Sequence, residues 1–298
     1  MIAVFLAACW LDDRLDRVAL TGFIQSLFSG RNYLPAGLVL FLLAALVVPF
    51  AAWELCRIFR ANGITASTAL TIAAGEIGLF MHYCIPNSTK GVTAVAIVCT
   101  GLVLMFVFSL AFFSRNKNVE GVVAAAGGVM FAMIYLGLMF GFLVAIRRYE
   151  SAWIIAAILL ITKSCDIGAY FTGKAIGKHK LIPWLSPGKT WEGLAGGVTF
   201  SALVAMSFGS WGRTIGSVEV HPGVVYSFEF EGWKCAVAGV LIAITGQAGD
   251  LTASLLKRDA GLKDSSQALP GFGGVLDVVD SPLLVAPLAY WMLQMWRG

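Results

Sequence analysis

Charge is scarce in this sequence. Only 13% of its 298 residues are Asp, Glu, Lys or Arg, where a soluble domain carries roughly 25%. The formal net charge is +4, with no basic stripe on a soluble fold, which excludes a nucleic-acid binder. Histidine is rarer still. There are three, and none is spaced against another ligand, which argues against a histidine metal site and a Ser-His-Asp nucleophile system. The six cysteines (Cys9, Cys56, Cys84, Cys99, Cys165, Cys235) form no CxxC or Cys/His pattern, so zinc and dithiol chemistry are set aside and they read as small apolar side chains. Internal repeats, low-complexity tracts and a soluble domain are also lacking.

What fills the space is apolar. Hydrophobic residues make up 58% of the chain and the mean hydropathy is +0.82, more than one aqueous core can hold. The expected class is an all-α polytopic integral membrane protein. Apolar runs predict spans at 34–56, 65–85, 92–113, 121–146, 152–173, 193–211, 233–249 and 282–296. Trp53, Trp153, Trp211, Trp233 and Trp296 fall near their ends, as an interfacial belt requires. The run at 121–146 is long enough to tilt, or to break at Gly127-Gly128. Met1 to Leu11 lacks the basic start and cleavage site of a signal peptide. It is expected to end a first transmembrane helix that begins outside this sequence, a short interfacial segment being the alternative. That makes about nine transmembrane helices: those of 1–150, and those of 151–298 that carry the polar motifs, in one membrane domain. The DDRLDR run at 12–17 reads as a solvated connector.

Lys and Arg number about eleven in the connections after the second, fourth, sixth and eighth spans, against about nine elsewhere. This bias puts the two richest connections, 174–192 and 250–281, on the cytoplasmic side. Segment 212–232, with Glu219, Glu229 and Glu231, then faces outward as a solvated loop.

The stretch Gly249 to Asp280 breaks the apolar pattern. Asp250, Ser254, Lys257 and Arg258 stand at i, i+4, i+7 and i+8, one face of a helix. Lys263 and Asp264 follow, then the turn Pro270 to Gly274, then Asp277 and Asp280 at i, i+3. Carboxylates suited to a divalent cation thus flank cations suited to phosphate, a combination fit for phosphoryl or nucleotidyl transfer. Helix capping is the bland alternative for the aspartates.

A second stripe lies in the sixth span, where Lys163, Asp166, Tyr170 and Lys174 recur on one face. Ionisable residues within a span are functional candidates by default; a structural Lys163–Asp166 pair is the alternative. The following turn offers Lys174, Lys178, Lys180 and Lys189 for anions, and Ser186, Thr190 and backbone N–H groups for phosphate oxygens. SPGKT is not a P-loop, because Pro183 stands where the Walker glycine belongs. Glu76 and His82, in the third span, read first as structural.

These two regions resemble the phosphatidate cytidylyltransferase (CDP-diacylglycerol synthase) family. The first matches its Ser-x-x-Lys-Arg, Lys-Asp and Pro-Gly-His-Gly-Gly-x-x-Asp-Arg-x-Asp pattern at Ser254, Lys257, Arg258, Lys263, Asp264, Pro270, Gly271, Gly273, Gly274, Asp277 and Asp280. Phe272 replaces the family's His and Val278 its Arg. The second matches at Asp166, Ala169, Tyr170, Gly177, Lys178, Ser186, Pro187, Lys189, Thr190, Glu192 and Gly193.

The resemblance implies that phosphatidic acid and CTP give CDP-diacylglycerol and pyrophosphate, for phospholipid synthesis, at the cytoplasmic face of a bacterial inner membrane. Asp250, Asp277, Lys257 and Arg258 are the expected catalytic residues. Asp250 and Asp277 would hold Mg²⁺, with Asp280 as a third carboxylate and a second cation left open. Asp166, Tyr170, Lys178, Ser186, Lys189, Thr190, Glu192, Ser254, Lys263, Asp264, Gly273 and Gly274 would bind substrate. The expected partners are CTP, phosphatidic acid and the bilayer, with a homodimer possible. A polyprenol or phytol kinase would release CDP instead, a CDP-alcohol phosphotransferase lacks its opening motif here, and a cation-coupled transporter would show matched repeats.

Overall fold

A computed structural model describes residues 2–22, 25, 32–86, 89–115, 119–221, 224–268, 271 and 273–297. All nine expected apolar segments are helical: α1 (Ile2–Leu15), α2 (Leu38–Ala61), α3 (Thr68–Cys84), α4 (Gly91–Ser114), α5 (Val122–Ala132) continuing through a π-helical turn (Met133–Leu138) into α6 (Met139–Arg147), α7 (Ala152–Ile176), α8 (Trp191–Ile215), α9 (Gly232–Asp259) and α10 (Val275–Arg297). Among the described residues, seven helical stretches are long and apolar enough to cross a membrane. The 14 residues of α1 and 17 of α3 are shorter. Two antiparallel hairpins complete the fold, β1 (Lys180–Ile182) with β2 (Ser186–Thr190) and β3 (Ser217–His221) with β4 (Val224–Ser227). The outward faces are apolar, as lipid requires: Val92, Val95, Val103, Leu104, Val107 and Phe108 of α4 are all exposed.

The chain forms two compact units, each from separated segments. The first comprises residues 1–43, 143–247 and 288–298. Its tightest contact joins α7 and α8, where a Cβ on Gly197 would lie 2.6 Å from the carbonyl oxygen of Cys165. Small residues let two membrane helices approach this closely. Ser201 fastens the pair by donating to the carbonyl oxygen of Ile161 at 3.0 Å.

At the other end of α7, the fully buried Arg147 gathers Asp12 (2.5 Å), Asp16 (2.5 Å) and Asp13 (3.0 Å). It also donates to the carbonyl of Glu150 at 3.0 Å and the hydroxyl of Tyr226 at 2.8 Å. Asp12 in turn accepts from the Val39 N–H (2.7 Å) at the start of α2, and Asp13 from the Ala152 N–H (2.8 Å) at the start of α7. Each carboxylate therefore caps a helix while neutralising the arginine.

Two expectations are corrected here. The 12–17 run is no solvated connector, since Asp12 and Asp16 are 1% and 4% exposed. Segment 212–232 is no simple solvated loop. Part of it is the β3–β4 hairpin, and its buried Tyr226 donates to Asp16 at 2.9 Å.

The second unit comprises residues 44–142 and 248–287. Here α3 and α4 pack with α5 and its π-helical extension around Leu70, Ala74, Met105, Val129 and Met133. The helix does not break at Gly127-Gly128; its irregularity is the π turn, beginning at Met133. A second boundary also differs. The span expected to end at 249 continues as α9 to Asp259, so the polar face Asp250 to Arg258 is helical.

Candidate active site

In the second unit the end of α9, the turn that follows and the start of α10 converge. Lys257 is 8% exposed and turns inward, its Nζ 2.6 Å from Asp277 Oδ1. Asp277 Oδ2 accepts from the Ser265 N–H (3.1 Å), the Ser265 hydroxyl (2.9 Å) and the Gly274 N–H (2.9 Å). A carboxylate in the first turn reaching back to the N–H ahead of the helix is a capping arrangement, favoured by the positive end of the helix dipole. The capping reading and the motif reading thus meet in one residue.

Beneath this lies Glu54 of α2, a residue that sequence reasoning passed over. It is 1% exposed and its carboxylate is fully engaged. Oε2 accepts from the Leu276 N–H (2.7 Å) and the Ser265 hydroxyl (2.8 Å), and Oε1 from the Val275 N–H (2.9 Å) and the Ser266 hydroxyl (2.5 Å). The single Ser265 O–H is thus shared between Glu54 and Asp277 and bridges them. Gly274 must be glycine, because a Cβ there would run into Ser265 Oγ and the Glu54 carboxylate. Gly273 takes a left-handed φ of +83°, which spares it the side-chain clash that any other residue would meet.

Tyr135, on the π turn, was also missed. Its ring is buried, its hydroxyl makes no hydrogen bond among the described residues, and Asp250, Asp277 and Asp280 all lie within electrostatic range. Nothing in the surrounding apolar sequence marks it. Asp280 is 2% exposed, with Oδ1 accepting from the Ser281 N–H at 2.5 Å. Asp250 and Ser254 are half-buried. Arg258, Lys263 and Asp264 are exposed, Arg258 donating to the Leu262 carbonyl at 3.4 Å. Pro270 and Phe272 lie outside the described residues.

Among the described residues no three His, Cys, Asp or Glu side chains close on one point as a preformed metal cage. Mg²⁺ does not require one, because it is commonly held by one or two carboxylates with substrate phosphates and water completing the shell. The donors fit that mode. Among the described residues Oδ1 of Asp277 carries a single hydrogen bond, from Lys257, which leaves it a lone pair.

The first unit holds the other motif at the C-terminal end of α7. Glu192, in the first turn of α8, accepts from the backbone N–H groups of Lys178 (3.1 Å) and His179 (3.2 Å) and contacts His179 Nδ1 at 2.6 Å. It pins the β1–β2 hairpin to the helix. Thr190 caps α8 by accepting from the Gly193 N–H at 3.1 Å. The Lys178 side chain is exposed, Ser186 is half-buried, and Lys189 is half-buried within electrostatic range of Cys165. Asp166 stands 3.6 Å from Lys163, so the ion pair named as the alternative forms, within one helix. It also accepts from Gln247 of α9 at 2.9 Å. Tyr170 is 62% exposed and stacks edge-on against Phe171.

The profile of the cytidylyltransferase family matches this chain over residues 16–296. The phosphatidate cytidylyltransferase of Staphylococcus epidermidis is 31% identical over 274 residues, covering 90% of this chain and 95% of its own. That of Pseudomonas aeruginosa is 32% identical over 276 residues, covering 90% and 92%. That of Bacillus subtilis is 37% identical over 173 residues, covering 57% and 59%.

Proposed function

The chain belongs to the cytidylyltransferase family, and from that premise we propose that it transfers CMP from CTP to phosphatidic acid, giving CDP-diacylglycerol and pyrophosphate. An oxygen of the lipid phosphate attacks the α-phosphorus of CTP. The bond from that phosphorus to the bridging oxygen of the β-phosphate breaks, and pyrophosphate leaves with the electron pair. The attacking oxygen is already anionic, so no protein base is required.

The observation that carries this reading is the Lys257–Asp277 pair at 2.6 Å, set at signature positions and cross-braced by Ser265 and Glu54. Lys257, with Arg258 and Lys263 exposed nearby in sequence, supplies cations for phosphate oxygens. In the first unit Lys178, Lys189 and the Ser186–Thr190 strand offer the same chemistry. Asp277 and Asp250 are the proposed holders of Mg²⁺, which would neutralise charge developing on the phosphates, with Asp280 behind them. Asp166 and Tyr170, on one face of α7, are assigned to the substrate, Asp166 to a cation or a lysine and Tyr170 to the lipid. The Lys and Arg bias supports a cytoplasmic active site in a bacterial inner membrane.

The test is pyrophosphate release by detergent-purified protein given phosphatidic acid, CTP and Mg²⁺, with Asp277→Asn and its thermal midpoint as controls. Lipid-dependent pyrophosphate, abolished in a folded Asp277→Asn, is expected. Release of CDP would instead make the protein a lipid kinase.

A further inference from the structure

The first unit also contains a cavity of about 680 Å³ that the catalytic reading does not use. Its walls are apolar side chains, among them Trp153 and Ile158 of α7, Trp211 of α8 and Trp296 of α10. These tryptophans fall near the ends of their helices, where a membrane interface favours them. Among the described lining residues charge comes from Asp13, Arg14 and Arg17, at and just past the end of α1. Asp13 is spoken for by Arg147 and the start of α7. Arg14 and Arg17 are both exposed, and Arg14 lies over the Trp10 ring at 5.1 Å. The exposed charges offered to an occupant are therefore the two guanidiniums, while Asp12 and Asp16 are buried against Arg147.

The cavity draws on residues 151–161 of α7, whereas Lys178, Thr190 and Glu192 cluster at the far end of that 25-residue helix. At 1.5 Å per residue the two ends are about 37 Å apart, the thickness of a bilayer core and more. A phosphate held at the α1 end is therefore far from the phosphate-binding motif of the first unit.

We propose that this cavity holds the acyl chains of one anionic phospholipid, its phosphate between Arg14 and Arg17. The pairing suits the parts. The apolar walls remove acyl chain from contact with water and loosely ordered lipid, while guanidinium forks match phosphate oxygens two at a time. Each cation at an anionic lipid surface favours binding about fivefold, so two give a preference on the order of tenfold or more over a zwitterionic lipid. The β3–β4 hairpin adds Val218 and Val220, alternate residues of one strand face, to the cavity wall.

Native mass spectrometry of the detergent-purified protein, titrated with dioleoylphosphatidylglycerol or dioleoylphosphatidylcholine, tests this. One phosphatidylglycerol per chain is expected, bound about tenfold more tightly than phosphatidylcholine. Arg14→Gln/Arg17→Gln should bring phosphatidylglycerol down to the level of phosphatidylcholine, and Ala157→Trp, which fills the cavity, should weaken both. Equal binding of the two lipids by the wild type would overturn the proposal. So would a preference that survives loss of both arginines, or a second copy of the chain found seated over the cavity in place of lipid. Neither lipid is a reactant in the proposed transfer, so failure of the catalytic reading leaves this result unaffected.

Discussion

Replacing Glu54 by glutamine tests the construction of the site most directly. The side chain keeps its size, but one acceptor oxygen becomes an NH₂ group. Each oxygen of Glu54 serves one serine hydroxyl and one backbone N–H. A hydroxyl can rotate and accept instead; a backbone N–H cannot. Whichever way the amide turns, the Val275 or the Leu276 N–H faces another donor. A buried donor left unsatisfied costs about 1–3 kcal/mol, and losing the negative charge at the α10 N-terminus adds about 0.3–1 kcal/mol. The sum, roughly 1–4 kcal/mol, corresponds to a fall of several degrees in the thermal midpoint, measurable by scanning fluorimetry in detergent. Pyrophosphate release should fall further than the folded fraction, because Ser265 holds both Glu54 and Asp277. A midpoint unchanged in Glu54→Gln would refute the capping role and the cross-brace with it.

Arg147→Lys should destabilise the protein by about 3–5 kcal/mol, because one ammonium cannot replace a fork that meets three carboxylates and a tyrosine; near-normal yield and midpoint would contradict this. Burial pushes the Asp16 carboxyl above its ordinary value of 3.8, against the pull of Arg147. A raised folded pKa gives stability that is present below 3.8 and lost as pH rises through the folded value. Wild type should therefore lose midpoint across the range just above pH 3.8, and Asp16→Asn should flatten that fall. Tyr135→Phe removes a buried hydroxyl that makes no hydrogen bond among the described residues, and should raise stability by about 1 kcal/mol; a lower midpoint would show that the hydroxyl is bonded in the working protein.

The helices were legible because lipid demands long apolar runs, and the sequence supplies them in order. The motif residues Lys257, Asp277 and Gly274 were legible as a spaced pattern, and the fold brings them together. Their support was not. Glu54 looks like Glu76, one carboxylate in an apolar run, and only the fold shows that its donors lie more than 200 residues onward. Asp12 and Asp16 were hidden in a mixed-charge run whose natural reading is solvent, since sequence does not reveal that Arg147 comes to meet them. Tyr226 was obscured for the same reason, by a partner from a distant helix end. The end of α9 was misplaced because hydropathy registers where a span leaves lipid, not where its backbone hydrogen bonding stops.

The distance in sequence between Glu54 and its donors has a consequence for biogenesis. A chain inserted from its N-terminus presents this carboxylate long before Ser265 and Leu276 exist, 211 and 222 residues later. Until then α2 carries an ionisable group without its final partners, at a cost of about 2.5–3.5 kcal/mol if it is held in lipid. The assembling protein is thus marked as unfinished until its last helix arrives. A chain truncated before residue 265 would keep that mark, exposing it to membrane quality control that a chain carrying α10 escapes.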